Sequence, residues 1–326
     1  MIAQQRIEIE DDTQVGEARR VAATLSRSAG LSQTEAGRVA IVVNELGSNL
    51  RKHAERGELL LSEVQAGVEV LAIDSGPGMD VEASLRDGLS TAGTRGEGLG
   101  AVKRQAQVFD AWSAPQKGAV VRARVCKEGA PAPLQIGAVS QPVRGEMECG
   151  DAWDLDQRRS SLRIVVADGL GHGPTAARAA RAAVESFRAS QKLAGPEAVL
   201  HDIHAALRPT RGAAVAVAEV DLVGRTLRFC GVGNISATIE SAAAPGRGLL
   251  SHNGIAGHEA RRIQEFSLPL PSRAVLVFHS DGLTSHWKLA PYSGLHARHA
   301  AVIAGVLYRD FRRRTDDVTV VVVKEP

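Results

Sequence analysis

Four aspartates mark the ends of apolar, strand-like runs in the second half of this 326-residue chain, and no other feature narrows its possible folds so far. They stand as Cys149-Gly-Asp151, Ala167-Asp168-Gly-Leu-Gly-His-Gly173, His279-Ser-Asp281-Gly282 and Asp316-Asp-Val-Thr319. A carboxylate beside a buried strand costs several kcal/mol, even after relaxation, unless something binds it. Carboxylates gathered together need cations to offset their repulsion. Oxygen ligands favour hard ions, so Mg²⁺ or Mn²⁺ is expected before zinc. Singly, an Asp-Gly pair is an ordinary β-turn signal. Four in order beside strands point to a metal centre.

The surrounding pattern fits such a centre. Strands are expected at residues 151–155, 162–167, 213–220, 226–232, 235–240, 274–279 and 318–323. Helices are expected at 175–190, which is Ala-rich, and at 196–207. Many strands with few helices between them imply a mostly antiparallel sandwich with helices packed outside. His172, set between glycines, reads as a local hydrogen-bonding residue rather than a ligand.

The first half has a different rhythm. Helices are expected at 13–29 and 33–54, the second opened by Ser32 with Glu35 as its capping-box partner. Val39, Val42, Leu46, Leu50 and Ala54 recur at helical spacing and form its core face. Strands at 59–64 and 68–73, a glycine-rich stretch at 76–100, a helix from 101 and a strand ending at 125 complete an α/β sandwich. Lys127-Glu-Gly-Ala-Pro-Ala-Pro133 discourages regular structure and reads as a linker. The expected division is a domain at 1–130, a linker at 131–140 and a second domain at 141–326, with an overall α/β (α+β) class.

On the helix at 33–54, Glu45 and Asn49 lie four residues apart and share a face at the edge of the apolar stripe. After the strand at 68–73 comes Asp74-Ser-Gly76-Pro-Gly78, then Gly88-Leu-Ser-Thr91-Ala-Gly93-Thr-Arg-Gly96-Glu-Gly98-Leu99-Gly100. Glycines allow close backbone approach, and a following helix N-terminus offers unpaired N–H groups to phosphates. An aspartate just after a buried strand suits the exocyclic amine of adenine.

In order and spacing, these pieces resemble the GHKL (Bergerat-fold) ATPases over about residues 5–126, and most closely the anti-sigma-factor serine kinases of the RsbT and RsbW type. Glu45 to Asn49 is similar to the N-box, Asp74 to Gly78 to the adenine box, and Gly88 to Gly100 to the phosphate lid. The resemblance implies ATP with one Mg²⁺ held by Asn49. It also implies Glu45 as the base toward a serine hydroxyl and Asp74 as the reader of adenine. Gly76, Gly78, Thr91, Gly96, Gly98, Leu99 and Gly100 would line the nucleotide. Lys103 adds charge one turn beyond the lid, and Lys52 and His53 read as packing or solvated residues.

The second half, over about residues 140–326, resembles the type-2C metal-dependent phosphatases of the SpoIIE branch, with its small RsbX-like members. Gly231-Val-Gly-Asn234 and Gly254-Ile-Ala-Gly257 match as well. The resemblance implies an α-β-β-α sandwich and a pair of Mg²⁺ or Mn²⁺ ions. Asp168 would hold both ions, with the Gly169 carbonyl also a ligand, Asp151 on one ion and Asp281 and Asp316 on the other. Asp317 is expected to be the non-ligand of its pair. Bound there, such ions acidify a water and neutralise phosphoryl oxygens. A phosphate-gripping arginine is not evident near the start of this half; Arg144 is the nearest candidate.

Together the halves imply a partner-switching regulator that phosphorylates and dephosphorylates serine or threonine on STAS-domain proteins. The alternative is a phosphatase governed by a non-catalytic, nucleotide-gated module. Pairing into a homodimer through the N-terminal domain is a further expectation. A formal net charge of +2 and 3% aromatic residues argue against nucleic-acid binding. No apolar run reaches 18 residues and the N-terminus lacks the pattern of a signal peptide, so neither membrane insertion nor secretion is expected. Three widely spaced cysteines, Cys126, Cys149 and Cys230, suit a reducing cytoplasm.

Overall fold

The computed structural model describes residues 4–54, 56–64, 67–85, 98–127, 134–192, 195–241 and 244–325. It divides into two compact units, one grouping Ile2–Pro131 with Leu289–Arg309, the other Ala132–Lys288 with Asp310–Pro326.

The N-terminal unit is built from β1 (Gln4–Ile9), α1 (Asp12–Ser28), α2 (Gln33–His53), β2 (Gly57–Val64), β3 (Gly67–Asp74), α3 (Val81–Ser84), α4 (Gly98–Gln105), β4 (Val108–Ser113) and β5 (Ala119–Cys126). The strands form one antiparallel sheet in the order β1-β2-β3-β5-β4. Capping boxes start both long helices. Asp11 pairs with Gln14 at α1, and the expected Ser32–Glu35 box opens α2, its Ser32 N–H donating to Glu35 at 2.7 Å. Alternation along the strands sends Leu59, Leu61, Val68, Val70, Ala72, Val121, Ala123 and Val125 into one core with Val39, Val42, Val43 and Leu46 of α2. β1 and β4 escaped the sequence reading because each is six residues long with only two fully buried positions.

The rest of the chain supplies β6 (Gln135–Gln141), β7 (Asp151–Gln157), β8 (Ser161–Gly169), α5 (Gly173–Ala189), α6 (Pro196–Ala206), β9 (Ala213–Asp221), β10 (Thr226–Val232), β11 (Ser236–Ser241), β12 (Ala244–Leu249), β13 (Glu265–Pro269), β14 (Val275–His279), α7 (Ala300–Phe311) and β15 (Val318–Lys324). Two antiparallel sheets result, in the orders β13-β10-β9-β8-β7 and β12-β11-β14-β15-β6. Helices α5 and α6 cover the first through Ala179, Ala183, Phe187, Val199 and Ile203 against Val165, Ala167, Val215 and Val217.

Besides the unforeseen strands β12 and β13, two features differ from the sequence reading. Residues 135–141, within the stretch that reads as linker and domain start, form β6, in register with β15 from Gln135↔Lys324 to Gln141↔Val318. Pairing with an apolar strand nearly two hundred residues away overrides a weak local pattern. Helix α7, unforeseen, is apolar all round, with every residue from Ala300 to Tyr308 buried. The part of it up to Arg309 belongs to the N-terminal unit, although its sequence lies between Asp281 and Asp316.

Candidate functional sites

In the N-terminal unit, Glu45 and Asn49 sit half-buried on α2, one helical turn apart. The N-terminus of α4 comes up against them. A Cβ built on Gly98 would lie 3.4 Å from Asn49 Oδ1, so the backbone of that helix start approaches the amide closely. Helix α4 begins at Gly98 rather than at residue 101, which places Gly98, Leu99 and Gly100 in its first turn. The free N–H groups of a helix start lie in that turn. Lys103 follows in its last turn.

Asp74 ends β3, and the turn that follows it meets the C-terminal end of α2 at His53 and Ala54. Asp74 Oδ1 accepts the Gly76 N–H at 2.7 Å. Burial is the main influence on the Asp74 carboxyl and pushes its pKa up, while the Gly76 N–H and the Arg309 guanidinium pull the other way. Gly76 has room only as glycine, since a Cβ would meet the His53 carbonyl at 2.8 Å. Gly78 takes a φ of +81° where an added Cβ would stand 2.2 Å from the Ala114 carbonyl. Glu45, Asn49, Asp74, Gly76, Gly78, Gly98, Leu99 and Gly100 thus belong to neighbouring parts of α2, the β3 turn and α4. Thr91 and Gly96 lie outside the described residues, as do Gly88 and Gly93.

In the C-terminal unit, β7 and β8 bring Asp151 directly opposite Asp168. Asp281 follows β14, and Asp316 and Asp317 precede β15, its hydrogen-bonded neighbour. Asp151 is buried, and its Oδ2 accepts the Ser280 hydroxyl at 2.6 Å; Ser280 Oγ in turn accepts the Thr319 N–H at 3.0 Å. Asn234 Nδ2 donates to Asp281 Oδ2 at 2.7 Å. Gly169 packs against α5, where a Cβ would lie 2.1 Å from the Ala176 carbonyl.

The electrostatics are those of crowded negative charge. Burial, then repulsion from Asp151, Asp281, Asp316 and Asp317, pushes Asp168 up to about 9. Burial pushes Asp151 up to about 7 despite the Ser280 hydroxyl, with Asp317 adding repulsion. Asp316 is raised by burial and then by Asp281. Among the described residues no three acidic, histidine or cysteine side chains already surround a single point at coordination distance. The donor set nevertheless fits divalent cations. It is all oxygen, and Asp151, Asp168 and Asp316 are raised by burial and by the charge of neighbouring aspartates, for want of positive charge.

Asp316 and Asp317 are sharply distinguished. Asp317 is buried, with Oδ1 accepting the Val143 N–H at 2.7 Å and Oδ2 the Gly150 N–H at 2.8 Å. It ties the segment before Asp151 to the start of β15. Asp316 is half-buried and among the charges that repel Asp168. His172 Nδ1 lies 2.9 Å from Glu146 Oε1. Cys149 and Cys230 have thiols raised by burial, which makes them poor nucleophiles. Sequence reasoning missed Ser280 and the Asn234–Asp281 bond, although both residues lie in stretches that it singled out. It also missed Arg211, exposed and within 3.7 Å of the Cβ position of Gly171 in the Asp168–Gly173 loop.

Comparison with known proteins places the two halves of the chain in families. Residues 158–326, more than half of the chain, match the family described as Stage II sporulation protein E (SpoIIE). The chain belongs to the SpoIIE family. Residues 9–125 match the histidine kinase-like ATPase domain. A GHKL-like kinase domain is therefore fused to a SpoIIE/RsbX-like phosphatase domain, as the motifs led us to expect.

Among curated proteins, the chain is 29% identical over 111 residues to the serine/threonine-protein kinase RsbT of Bacillus subtilis, across 32% of this chain and 84% of that protein. It is 23% identical over 139 residues to the phosphoserine phosphatase RsbX of the same organism, across 43% of this chain and 69% of that one. A solved structure described as "The bacterial stressosome: a modular system that has been adapted to control secondary messenger signaling" is 30% identical, with a TM-score of 0.55, covering 59% of this chain and 99% of its own. The pairing is that of a partner-switching kinase/phosphatase module resembling the RsbT, RsbW and RsbX system. No helix among the described residues is long and apolar enough to cross a membrane.

Proposed function

We propose that this SpoIIE-family chain is a bifunctional partner-switching regulator, whose two units add and remove phosphate on serine or threonine of a STAS-domain protein. The observation that carries the phosphatase half is the placement of Asp151 opposite Asp168 on paired strands, with Asp281, Asp316 and Asp317 near enough to add repulsion at Asp168. A relative of the same fold, RsbX, was solved in complex with magnesium, which supports Mg²⁺ or Mn²⁺ as the cations. Asp168 would hold both ions, with the Gly169 carbonyl also a ligand, Asp151 one ion, and Asp281 with Asp316 the other. The chemistry such ions supply when bound is neutralisation of phosphoryl oxygens and acidification of a water. The chain's own residues orient the donors, with Ser280 fixing Asp151 and Asn234 fixing Asp281.

In the N-terminal unit, Asp74 reads adenine, Asn49 holds the Mg²⁺ of ATP, and Glu45 serves as base toward the incoming hydroxyl. Gly76, Gly78, Thr91, Gly96, Gly98, Leu99 and Gly100 line the nucleotide. The folds that go with these roles are the Bergerat sandwich and the α-β-β-α sandwich. The working state is cytoplasmic, with pairing through the N-terminal unit.

Two assays on the full chain test this reading. With Mn²⁺, a phosphoserine-bearing STAS protein should lose phosphate, and Asp168→Asn should abolish the loss. Faster turnover of a small metabolite phosphoester than of any phosphoprotein would sink the signalling role. With ATP, the unphosphorylated STAS protein should gain phosphoserine, and Glu45→Ala should stop this while ATP still binds. Binding of ATP without transfer by the wild type would leave a nucleotide-gated module in place of a kinase.

A further inference from the structure

The segment from Leu289 to Arg309 follows the phosphatase motif Asp281-Gly282 in sequence, yet it is part of the N-terminal unit. Its attachments are specific. Trp112 Nε1 donates to the Ser293 carbonyl at 2.9 Å, and Lys117 Nζ to the Pro291 carbonyl at 3.0 Å. Asp110 Oδ2 accepts the His299 N–H at 2.6 Å, just before α7 begins. Gly305 lets α7 close on the sheet, where an added Cβ would stand 2.9 Å from Val120 and 3.0 Å from Leu71. The fully buried Tyr308 hydroxyl donates to Glu58 Oε2 at 3.3 Å.

The last of these contacts reaches the nucleotide site. Arg309 Nη1 donates to the backbone carbonyl of Asp74 at 3.1 Å, and its guanidinium lies over the Trp112 ring at 5.8 Å. The same carbonyl is confined from another side by Gly118, whose φ of +62° leaves 2.1 Å between it and an added Cβ. The Asp74 side chain has its Oδ1 committed to the Gly76 N–H. Its backbone is therefore fixed by Arg309 and Gly118, and its carboxylate by the Gly76 and Ala119 N–H groups, which sets where the carboxylate points.

We propose that Arg309, contributed by the C-terminal part of the sequence, is a positioning residue of the nucleotide site that aims the Asp74 carboxylate at the exocyclic amine of the purine. The inference rests on the reading of Asp74 as the adenine contact. It makes base selectivity in the N-terminal unit depend on a segment bracketed in sequence by Asp281 and Asp316. A guanidinium is suited to this task because it donates to a carbonyl while stacking on an indole face.

Calorimetric titration of the full chain with ATP and with inosine triphosphate, both with Mg²⁺, tests the inference, because the second nucleotide lacks the amine. The wild type should prefer ATP. Arg309→Met should weaken ATP about tenfold, as expected for loss of a charge-assisted hydrogen bond, and leave inosine triphosphate unchanged. Arg309→Lys, which keeps one donor, should restore most of the preference. Equal weakening of both nucleotides with a lowered Tm would show a purely structural contact and overturn the inference, as would an unchanged preference in Arg309→Met. If Asp74→Asn loses the preference but Arg309→Met keeps it, the ATP reading stands and the role of Arg309 falls. A wild type that binds no ATP overturns both.

Discussion

Asp74 and Asp168 are both carboxylates at the ends of buried strands, but they keep opposite company. Burial raises each. Around Asp74 the Gly76 N–H, the Ala119 N–H, Arg309 and His53 all favour the charged form. Around Asp168 the neighbours that follow burial are four further aspartates, and every one disfavours it. The neighbours of Asp74 thus offset part of its burial, whereas those of Asp168 add to it. That difference is what the proposed roles, recognition at Asp74 and cation binding at Asp168, would require, and it separates the two residues more clearly than burial does.

The largest effect expected from breaking the contrast is on catalysis. Asp168→Asn removes the charge about which the acidic cluster is arranged, and phosphatase turnover should fall on the order of a thousandfold or more, as when a central catalytic group is lost. Phosphate release from a phosphoserine substrate at saturating Mn²⁺ measures it. The matching change, Asp74→Asn, should leave that rate unaltered. Next in size is Asn234→Ala, which frees Asp281 from its orienting amide. Mn²⁺ affinity should drop roughly tenfold or somewhat more, the usual cost of losing a partner that orients a ligand. A titration followed by calorimetry reads this directly, and unchanged affinity would remove Asn234 from the site.

Much of this was legible in the sequence, because the chemistry sits in short local patterns. The Ser32–Glu35 box, the glycines around Asp74 and the four aspartates each declare themselves within a few residues. What was hidden depends on pairing across the chain. Residues 135–141 carry prolines upstream and little alternation, and only β15 turns them into a strand. Helix α7 is written as a continuous apolar run without a polar face, so periodicity cannot say which surface it meets. Arg309 stands in no local motif, and the Asp74 carbonyl to which it donates is 235 residues away. Asp317 and Asp316 are indistinguishable by composition. The Val143 and Gly150 N–H groups, which bond both carboxylate oxygens of Asp317, come from a segment that no local pattern links to it.

The third prediction uses pH. Asp168 and Asp151 have folded pKa values raised to about 9 and about 7, above the ordinary carboxylate value of an unfolded chain. Between those limits the unfolded form has released protons that the metal-free native form keeps. Stability must therefore fall as pH rises through this window, with the native advantage greatest at the acid end. In EDTA, Tm should decline by roughly 5 °C or more between pH 6 and pH 9. Added Mg²⁺ should flatten the slope, because cations replace the protons. A slope that is the same with and without Mg²⁺ would mean that these carboxylates do not bind it.

The smallest effect is expected from Ser280→Ala. This hydroxyl donates to Asp151 and accepts the Thr319 N–H, so its loss should cost about 1–3 kcal/mol by leaving a buried N–H without its partner. That part is independent of pH. The Asp151 part is not, because the hydroxyl stabilises the charged carboxylate, and without it Asp151 keeps its proton to higher pH. Urea unfolding in EDTA should therefore show a constant offset from the wild type near pH 5, widening as pH rises past 7 and narrowing again when Mg²⁺ is supplied. An offset that stays constant from pH 5 to pH 9 would assign Ser280 to the backbone of β15 alone, and would leave Thr319 as the neighbouring side chain that favours the charged form of Asp151.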